Sequence, residues 1–333
     1  MTALLEVRDL VVRFDTDDGT VHAVNGISYS LEKGESLAIV GESGSGKSVG
    51  ALALMGLLPR PQARIEGGTI HFKGRNLLTQ SGQEWQRTRG REIAMVYQDP
   101  MTSLNPALTV GQQLSQVIRH HLNVRKPASR ERAADLLSLV GIPNPRGRLD
   151  DYPHQFSGGQ RQRVLIALAL SCDPALLIAD EPTTALDVTI QAQMIELVKG
   201  LRKQLGMAVV WITHDLGVVA GLVDKVAVMY SGNMVEQAPV HDLYRQPAHP
   251  YTLGLLNSLP TLEHGTRRLT PIPGSPPDPL RPATACPFAR RCAWVVDRCR
   301  ESPPALIRVA PQHSAACYRS ADVNRQPAVG AQQ

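Results

Sequence analysis

Phe156-Ser157-Gly158-Gly159-Gln160 stands between two other short runs. Gly41-Glu42-Ser43-Gly44-Ser45-Gly46-Lys47-Ser48 precedes it, and Leu176-Leu177-Ile178-Ala179-Asp180-Glu181 follows it. The glycine-rich run alone indicates a phosphate-binding loop, a device found on several NTPase scaffolds. The order and spacing of the three runs are far more specific than any one of them. Leu37–Val40 reads as a short buried strand entering the glycine loop, and Ser48–Leu58 as the helix leaving it. That strand–loop–helix context is what a phosphate loop requires. Ser157–Ser171 reads as an apolar-faced helix, Leu176–Asp180 as a buried strand, Ile190–Leu205 as an amphipathic helix and Ala208–Thr213 as a further buried strand. Strands alternating with helices predict an α/β fold whose largely parallel sheet is covered on both faces.

Working outward, residues 4–14 and 21–31 read as strands from their branched side chains and partial alternation, with turn chemistry over Asp15 to Thr20. Residues 100–156 are more helical, broken at Pro127, Gly141, Pro143, Pro145 and Gly147, and read as a small helical insert. After Leu259 the composition changes. Residues 260–282 carry Pro260, Pro271, Pro273, Pro276, Pro277, Pro279 and Pro282, an extended connector. A compact segment with four of the five cysteines follows, and 323–333 is polar and small, the composition of a disordered tail. The expected domains are 1–259 for the α/β body that carries the glycine loop, with a helical subdomain near 100–170, then 260–322 for connector and Cys-rich lobe. No internal repeat is visible.

At 333 residues the chain has room for one large α/β domain plus an extension, or for two small domains. No apolar run approaches the roughly 20 residues of a membrane span. The start, Met1-Thr2-Ala3-Leu4-Leu5-Glu6, lacks the basic and apolar regions of a signal peptide, so a cytosolic protein is expected. The net charge of +5 is mild. Arg87, Arg89 and Arg91, and Arg125, Lys126, Arg130 and Arg132, form basic groups without interleaved aromatics, and read as solvated surface. Nucleic acid is not an expected partner.

The glycine loop fits its chemistry in full. Its glycines let backbone N–H groups converge on phosphates, and the following helix adds its positive end. Lys47 reaches the β- and γ-phosphates of ATP, and the Ser48 hydroxyl ligates Mg²⁺. Asp180 ends an apolar strand, a costly place for a carboxylate unless the outer coordination sphere of Mg²⁺ needs it. Glu181, one residue on, stands where a general base for an attacking water belongs. His214 emerges after Val209–Thr213 at the carboxyl edge of the sheet, placed to hydrogen-bond a γ-phosphate.

Residues 4 to about 240 resemble the nucleotide-binding subunit of an ATP-binding cassette (ABC) transporter. The resemblance makes Gly41, Glu42, Ser43, Gly44, Ser45, Gly46, Lys47 and Ser48 the Walker A loop, with Val49 beside them, and Gln98 the Q-loop glutamine. It makes Ser157, Gly158, Gly159 and Gln160 the signature motif, which here opens on Phe156 where Leu is common. Leu176–Asp180 becomes Walker B, Glu181 the catalytic glutamate, Ala185-Leu186-Asp187 the D-loop and His214 the switch histidine. Phe14 takes the place of the aromatic stacked on adenine, although a Phe closing a strand is as often core. Mg²⁺ would be held by Ser48, Gln98 and Asp180. The implied fold is an α/β P-loop NTPase with a helical subdomain and a small Cys-rich C-terminal extension. The implied mechanism pairs two cassettes head to tail, each signature motif capping the partner's ATP.

Gln98-Asp99-Pro100-Met101-Thr102-Ser103-Leu104-Asn105-Pro106, Tyr152 to Arg163 and His249-Pro250-Tyr251-Thr252 resemble the oligopeptide/dipeptide importer subfamily. That resemblance implies a second, homologous ATPase subunit, two transmembrane permeases and an extracytoplasmic binding protein, at the cytoplasmic membrane face. Peptide is the favoured solute, with a nickel chelate as an alternative. A soluble cassette acting on ribosomes or DNA is the rival, although this chain has neither a second cassette nor a coiled-coil insert. A binding-only cassette is disfavoured by the presence of Glu181 and His214.

Cys286, Cys292, Cys299 and Cys317 are spaced C-x5-C-x6-C-x17-C. Disulfides are disfavoured in a reducing cytosol, and zinc usually shows tighter pairs. A [4Fe–4S] cluster tolerates the wider spacing and agrees with the resemblance, so it ranks first, zinc second and four reduced thiols third. With Phe288, Trp294 and Val295 as its main apolar residues, the lobe is expected to need a metal staple. His313 reads as a surface residue or a spare ligand, and Cys172 as a buried free thiol.

Overall fold

A computed structural model describes residues 3–184, 187–259 and 271–323. The chain forms two compact units, residues 1–31, 36–78 and 212–333 in the first, and 32–35 and 79–211 in the second. Among the described residues twelve strands run in chain order. They are β1 (Leu5–Thr16), β2 (Gly19–Leu31), β3 (Ser36–Val40), β4 (Ala63–Phe72), β5 (Arg75–Asn76), β6 (Ile93–Val96), β7 (Leu176–Asp180), β8 (Ala208–Thr213), β9 (Lys225–Tyr230), β10 (Asn233–Pro239), β11 (Ile307–Ala310) and β12 (His313–Ala315).

In the first unit, β1 and β2 form a long antiparallel hairpin turning at Asp17-Asp18, tighter than the six-residue turn expected. β4 joins the other edge of β1 and β5 closes the sheet, in the order β2-β1-β4-β5. Alternate residues Leu5, Val7, Leu10, Val12, Ile27, Leu31, Ile70 and Phe72 are buried, the period-2 face of a sheet wetted on its other side. A second group of strands in this unit runs β11-β12-β10-β9-β3. Only β3 and β9 in it are parallel, with Ile39 opposite Ala227, and both are buried almost throughout. The first unit is therefore richer in antiparallel pairing than expected. The helix after the glycine loop spans Lys47–Leu54 and ends before the predicted Leu58, at the turn around Gly56.

In the second unit the order is β8-β7-β6, with β6 and β7 parallel and Ala94 opposite Leu177. Every residue of β7 and β8 is buried, as expected of strands covered on both faces. Helices Val110–Leu122, Lys126–Leu139 and Gly158–Ala169 supply the helical segment. Thr109 and Gln112 make a reciprocal capping box at the first of them, which satisfies two backbone donors otherwise left without partners. Helix Val188–Leu205 buries Met194, Val198 and Leu201 on one face and ends at Gly206 in the left-handed conformation, the usual C-terminal stop. Two arginines of the basic groups make local ion pairs, Arg130 with Asp150 and Arg132 with Asp173. Arg89 lies over the Trp85 ring, an aromatic partner the sequence reading did not include.

The C-terminal segment is not a free-standing lobe. β12 pairs antiparallel with β10, Gln237 facing Ser314, and Phe288 is buried against Tyr230, Tyr251 and His249. Val323, expected to begin a disordered tail, is fully buried in the short helix Ser320–Val323. The remainder of that tail, and Pro260 of the connector, lie outside the described residues.

Candidate functional site

The glycine loop begins where β3 ends and is pressed against its surroundings. A Cβ on Gly41 would lie 2.2 Å from the Met229 carbonyl oxygen, and one on Gly46 would lie 2.3 Å from the Ala23 carbonyl oxygen. Gly46 also has φ +96°, a conformation that costs glycine little and other residues much. Lys47 is buried, and its ammonium donates to the carbonyl oxygens of Gly41 (2.7 Å) and Glu42 (2.9 Å). Helix Lys47–Leu54 starts here, so its first N–H groups have no acceptor within the helix and mark a positive end. Ser45 Oγ is buried without a hydrogen-bond partner, a hydroxyl suited to a bound group. Ser43, Gly44 and Ser48 are exposed and Val49 is half-buried. A buried ammonium, an orphaned hydroxyl and a helix N-terminus in one tight loop fit a polyphosphate, with the exposed Ser48 at its rim.

Two further predicted residues lie in this unit. Phe14 is half-buried on β1, opposite Val21 and Ala63, so its ring is not lost to the core. His214 is exposed directly after β8. Beside it, Thr213 Oγ1 accepts from Asp215 N at 3.0 Å and Asp215 Oδ1 accepts from Gly217 N at 2.7 Å, which fixes the turn that carries the imidazole.

In the second unit Asp180 is the buried last residue of β7. Glu181 follows with φ +47°. A left-handed glutamate is strained by about 1–3 kcal/mol and persists only where its surroundings hold it. Here Thr184 Oγ1 donates to Glu181 Oε2 at 3.0 Å. Gln98 is exposed, two residues past β6. Ser157 caps helix Gly158–Ala169. Its Oγ accepts from Gln160 N at 3.3 Å, and Gln160 Oε1 accepts from Ser157 N at 3.1 Å. Gln160 therefore orders the helix start from inside. Ser157 and Gly158 remain exposed, and nothing lies within 4 Å of a Cβ built on Gly158. Phe156 is buried beneath the Arg148 guanidinium, 4.1 Å from its ring centroid, so the unusual opening residue of this motif is a packing choice. Asp187 is also a cap, accepting from Ile190 N at 2.9 Å. Ala185 and Leu186 lie outside the described residues.

Sequence reasoning missed what surrounds Glu42. Its N–H donates to the Tyr251 hydroxyl at 2.9 Å, and its carboxylate takes both arms of Arg291 at 2.8 and 3.0 Å. Tyr251 belongs to the quoted His249–Thr252 run, but nothing local in the sequence marks its target. The hydrogen bond to Glu42 holds the Arg291 guanidinium above its ordinary pKa, and burial raises the Tyr251 phenol above its own. His313 is neither a surface residue nor a thiol neighbour in function. It is buried, and its Nε2 meets Glu236 Oε1 at 2.7 Å. The buried Glu236 carboxylate also accepts from Ala248 N and His249 N, which accounts for its acceptor capacity without solvent. His249 is buried too, and burial pushes its imidazole down to about 3. Its Nδ1 accepts from Tyr251 N at 3.0 Å.

All four tail cysteines are free, as is the buried Cys172. Burial, reinforced by the neighbouring thiols, pushes Cys317 up to about 12 and Cys292 up to about 11. Their sulfurs accept from Arg319 N and Trp294 N, each at 3.3 Å. Among the described residues no three His, Cys, Asp or Glu side chains converge as a metal ion would require. The arrangement fits four neighbouring thiols and does not by itself fit a metal centre.

The family model described as ABC transporter matches residues 24–184, and that of the oligopeptide/dipeptide transporter C-terminal region matches residues 235–299. The chain is 52% identical over 314 residues to the oligopeptide transport ATP-binding protein OppD of Bacillus subtilis, spanning 94% of this chain and 88% of that protein. It is 51% identical over 318 residues to the dipeptide transport ATP-binding protein DppD of the same species, spanning 96% and 95%. Among solved structures, the dimeric bacterial ABC transporter cassette MJ0796 superposes with a TM-score of 0.62 at 25% identity, over 71% of this chain and 98% of that one.

Proposed function

The chain belongs to the ABC transporter ATPases of the oligopeptide/dipeptide type, and from that premise we propose that it hydrolyses ATP to drive import of di- and oligopeptides. Its mixed α/β fold is that of an ABC ATPase nucleotide-binding domain. The observation that carries the proposal is the glycine loop with its buried Lys47 in a chain about half identical, over nearly its whole length, to peptide-transport ATP-binding proteins.

In this reading the loop N–H groups and Lys47 bind and orient the ATP phosphates, and Phe14 packs on the adenine. Ser48, Gln98 and Asp180 would hold Mg²⁺, which when bound offsets phosphate charge. Glu181 accepts the proton of the attacking water, and His214 donates a hydrogen bond to the γ-phosphate. The exposed Ser157 and Gly158 and the half-buried Gly159, with Gln160 and Asp187 ordering the helices behind them, serve the ATP of a partner cassette. The partner is a second homologous ATPase, and the pair works beneath two permeases supplied by an extracytoplasmic binding protein. No helix among the described residues is long and apolar enough to cross a membrane, in keeping with a peripheral subunit at the cytoplasmic face. Residues 1–259 act as the cassette and 260–322 as its extension. For that extension we propose a [4Fe–4S] cluster on Cys286, Cys292, Cys299 and Cys317, with zinc as the second choice. The four free thiols carried by this one segment support it, and because no three metal-ligating side chains converge among the described residues, loading has to draw the sulfurs together.

The test uses the full complex in proteoliposomes, with the binding protein inside the assay. Peptide uptake should depend on ATP, and E181Q should bind ATP while hydrolysing it about 10²–10⁴-fold more slowly. ATPase activity that ignores permeases and peptide, or a fully active E181Q, contradicts the reading. Iron and sulfide absent from anaerobically purified complex contradict the cluster.

A further inference from the structure

Glu42 presents a physical problem. It places a carboxylate in the loop that must accept a polyanion, where a free negative charge would oppose binding. The fold's answer comes from the far end of the chain. The Arg291 guanidinium, only 6% exposed, takes both carboxylate oxygens of Glu42 in a two-pronged pair, the strong form of this combination. Its remaining donors are also committed, Nε to the Pro273 carbonyl oxygen at 2.8 Å, Nη2 to the Ile272 carbonyl oxygen and Nη1 to the Tyr230 hydroxyl at 3.2 Å. The cation also faces the Tyr230 and Phe288 rings. Tyr230 ends β9, one residue after the Met229 carbonyl that packs on Gly41. Arg291 is thus fixed before it meets Glu42.

We propose that Arg291 is a positioning residue for ATP binding: it draws the Glu42 carboxylate onto the C-terminal extension and keeps that negative charge off the nucleotide phosphates. The inference rests on Gly41–Ser48 being the phosphate loop. It gives the extension a part in nucleotide binding that is independent of any metal on its cysteines. The Tyr251 hydroxyl holds the same residue's N–H, and Lys47 its carbonyl oxygen. With Arg291 in place, Glu42 is therefore held on three sides. Without it, only the charged side chain is released.

The experiment measures fluorescent MANT-ATP and MANT-ADP binding, and ATPase KM and kcat, on the purified transporter complex carrying R291Q, E42Q or both. R291Q should weaken MANT-ATP about tenfold, a size set by one unscreened charge near the phosphates, and raise KM alike with kcat within about twofold. MANT-ADP, with less charge, should suffer less. The double variant should recover most of the loss, because no carboxylate remains to mask. Unchanged affinity in R291Q, equal losses for both nucleotides, or a double variant as weak as R291Q would overturn the proposal. If R291Q does not fold, R291K keeps the charge but not the fork. It should show about a threefold loss relieved by E42Q, and its absence overturns the idea equally. A wild-type complex that binds no MANT-ATP at all would instead remove the phosphate-loop reading on which the proposal stands.

Discussion

Replacing His249 with Asn should make the protein markedly more tolerant of acid, by an amount that follows from burial. In the native state the imidazole is 2% exposed and burial lowers its pKa to about 3. In the unfolded chain an imidazole titrates near 6.5. Below about pH 6.5 the unfolded state therefore binds a proton that the folded state refuses. Stability is lost as pH falls, progressively down to about pH 3. Between about pH 7 and pH 5 that linkage amounts to about 2 kcal/mol, from RT ln of the ratio of the two binding polynomials. Asn retains a side-chain acceptor at the N-cap of helix Pro250–Asn257, where His249 Nδ1 now accepts from Tyr251 N. It carries no titrating group. The assay is urea unfolding of wild type and H249N at both pH values, followed by circular dichroism. The quantity of interest is the difference of differences, in which the other titrating groups cancel. H249N is expected to start somewhat less stable at neutral pH, because Asn fills less of the site, and to lose about 2 kcal/mol less on acidification. Identical acid sensitivity in the two proteins would refute the argument from burial.

G46A should lose ATP binding with little change in overall fold, since its methyl would meet the Ala23 carbonyl at 2.3 Å and its φ of +96° suits only glycine; equilibrium binding of MANT-ATP reads this, and retained affinity would show that the loop can shift. S157A removes the cap of helix Gly158–Ala169 and should cost about 1 kcal/mol of stability. It should also slow hydrolysis in the complex far more than it weakens ATP binding by this chain, and equal loss of the two would contradict a signature motif that serves the partner's nucleotide.

The parts legible in the sequence are those where chemistry restricts residue choice at fixed spacing. Gly41 and Gly46 are glycines because carbonyl oxygens lie where a side chain would begin. Leu176–Asp180 and Ala208–Thr213 were bounded correctly because strands buried on both faces are continuous apolar runs. β4 escaped notice because Ala63–Phe72 contains Gly67-Gly68 and charged residues, and its pairing with β1 carries register shifts that blur a period-2 pattern. β6 is only four residues long, too short for any periodicity. The tail was misread for a different reason. Its stability was judged from its own apolar content, whereas Phe288 is completed by rings from Tyr230 and Tyr251. His313 likewise looked like surface because Glu236 lies 77 positions away.

Those long-range contacts share a logic. Glu236 and Glu42 are acidic residues in places that punish a bare carboxylate, the first fully buried and the second beside a phosphate cradle. Each is answered by a basic side chain from beyond residue 271, His313 for one and Arg291 for the other. An unpaired carboxylate in either position would cost several times what its hydrogen bonds contribute. The extension and the glycine loop therefore have to fold as parts of one unit, and a chain ending at 259 would leave Glu42 without Arg291 and Glu236 with only the Ala248 and His249 N–H groups. Whatever the four cysteines bind, the segment that carries them already has a physical reason to be held against the strand β10 and the loop after β3.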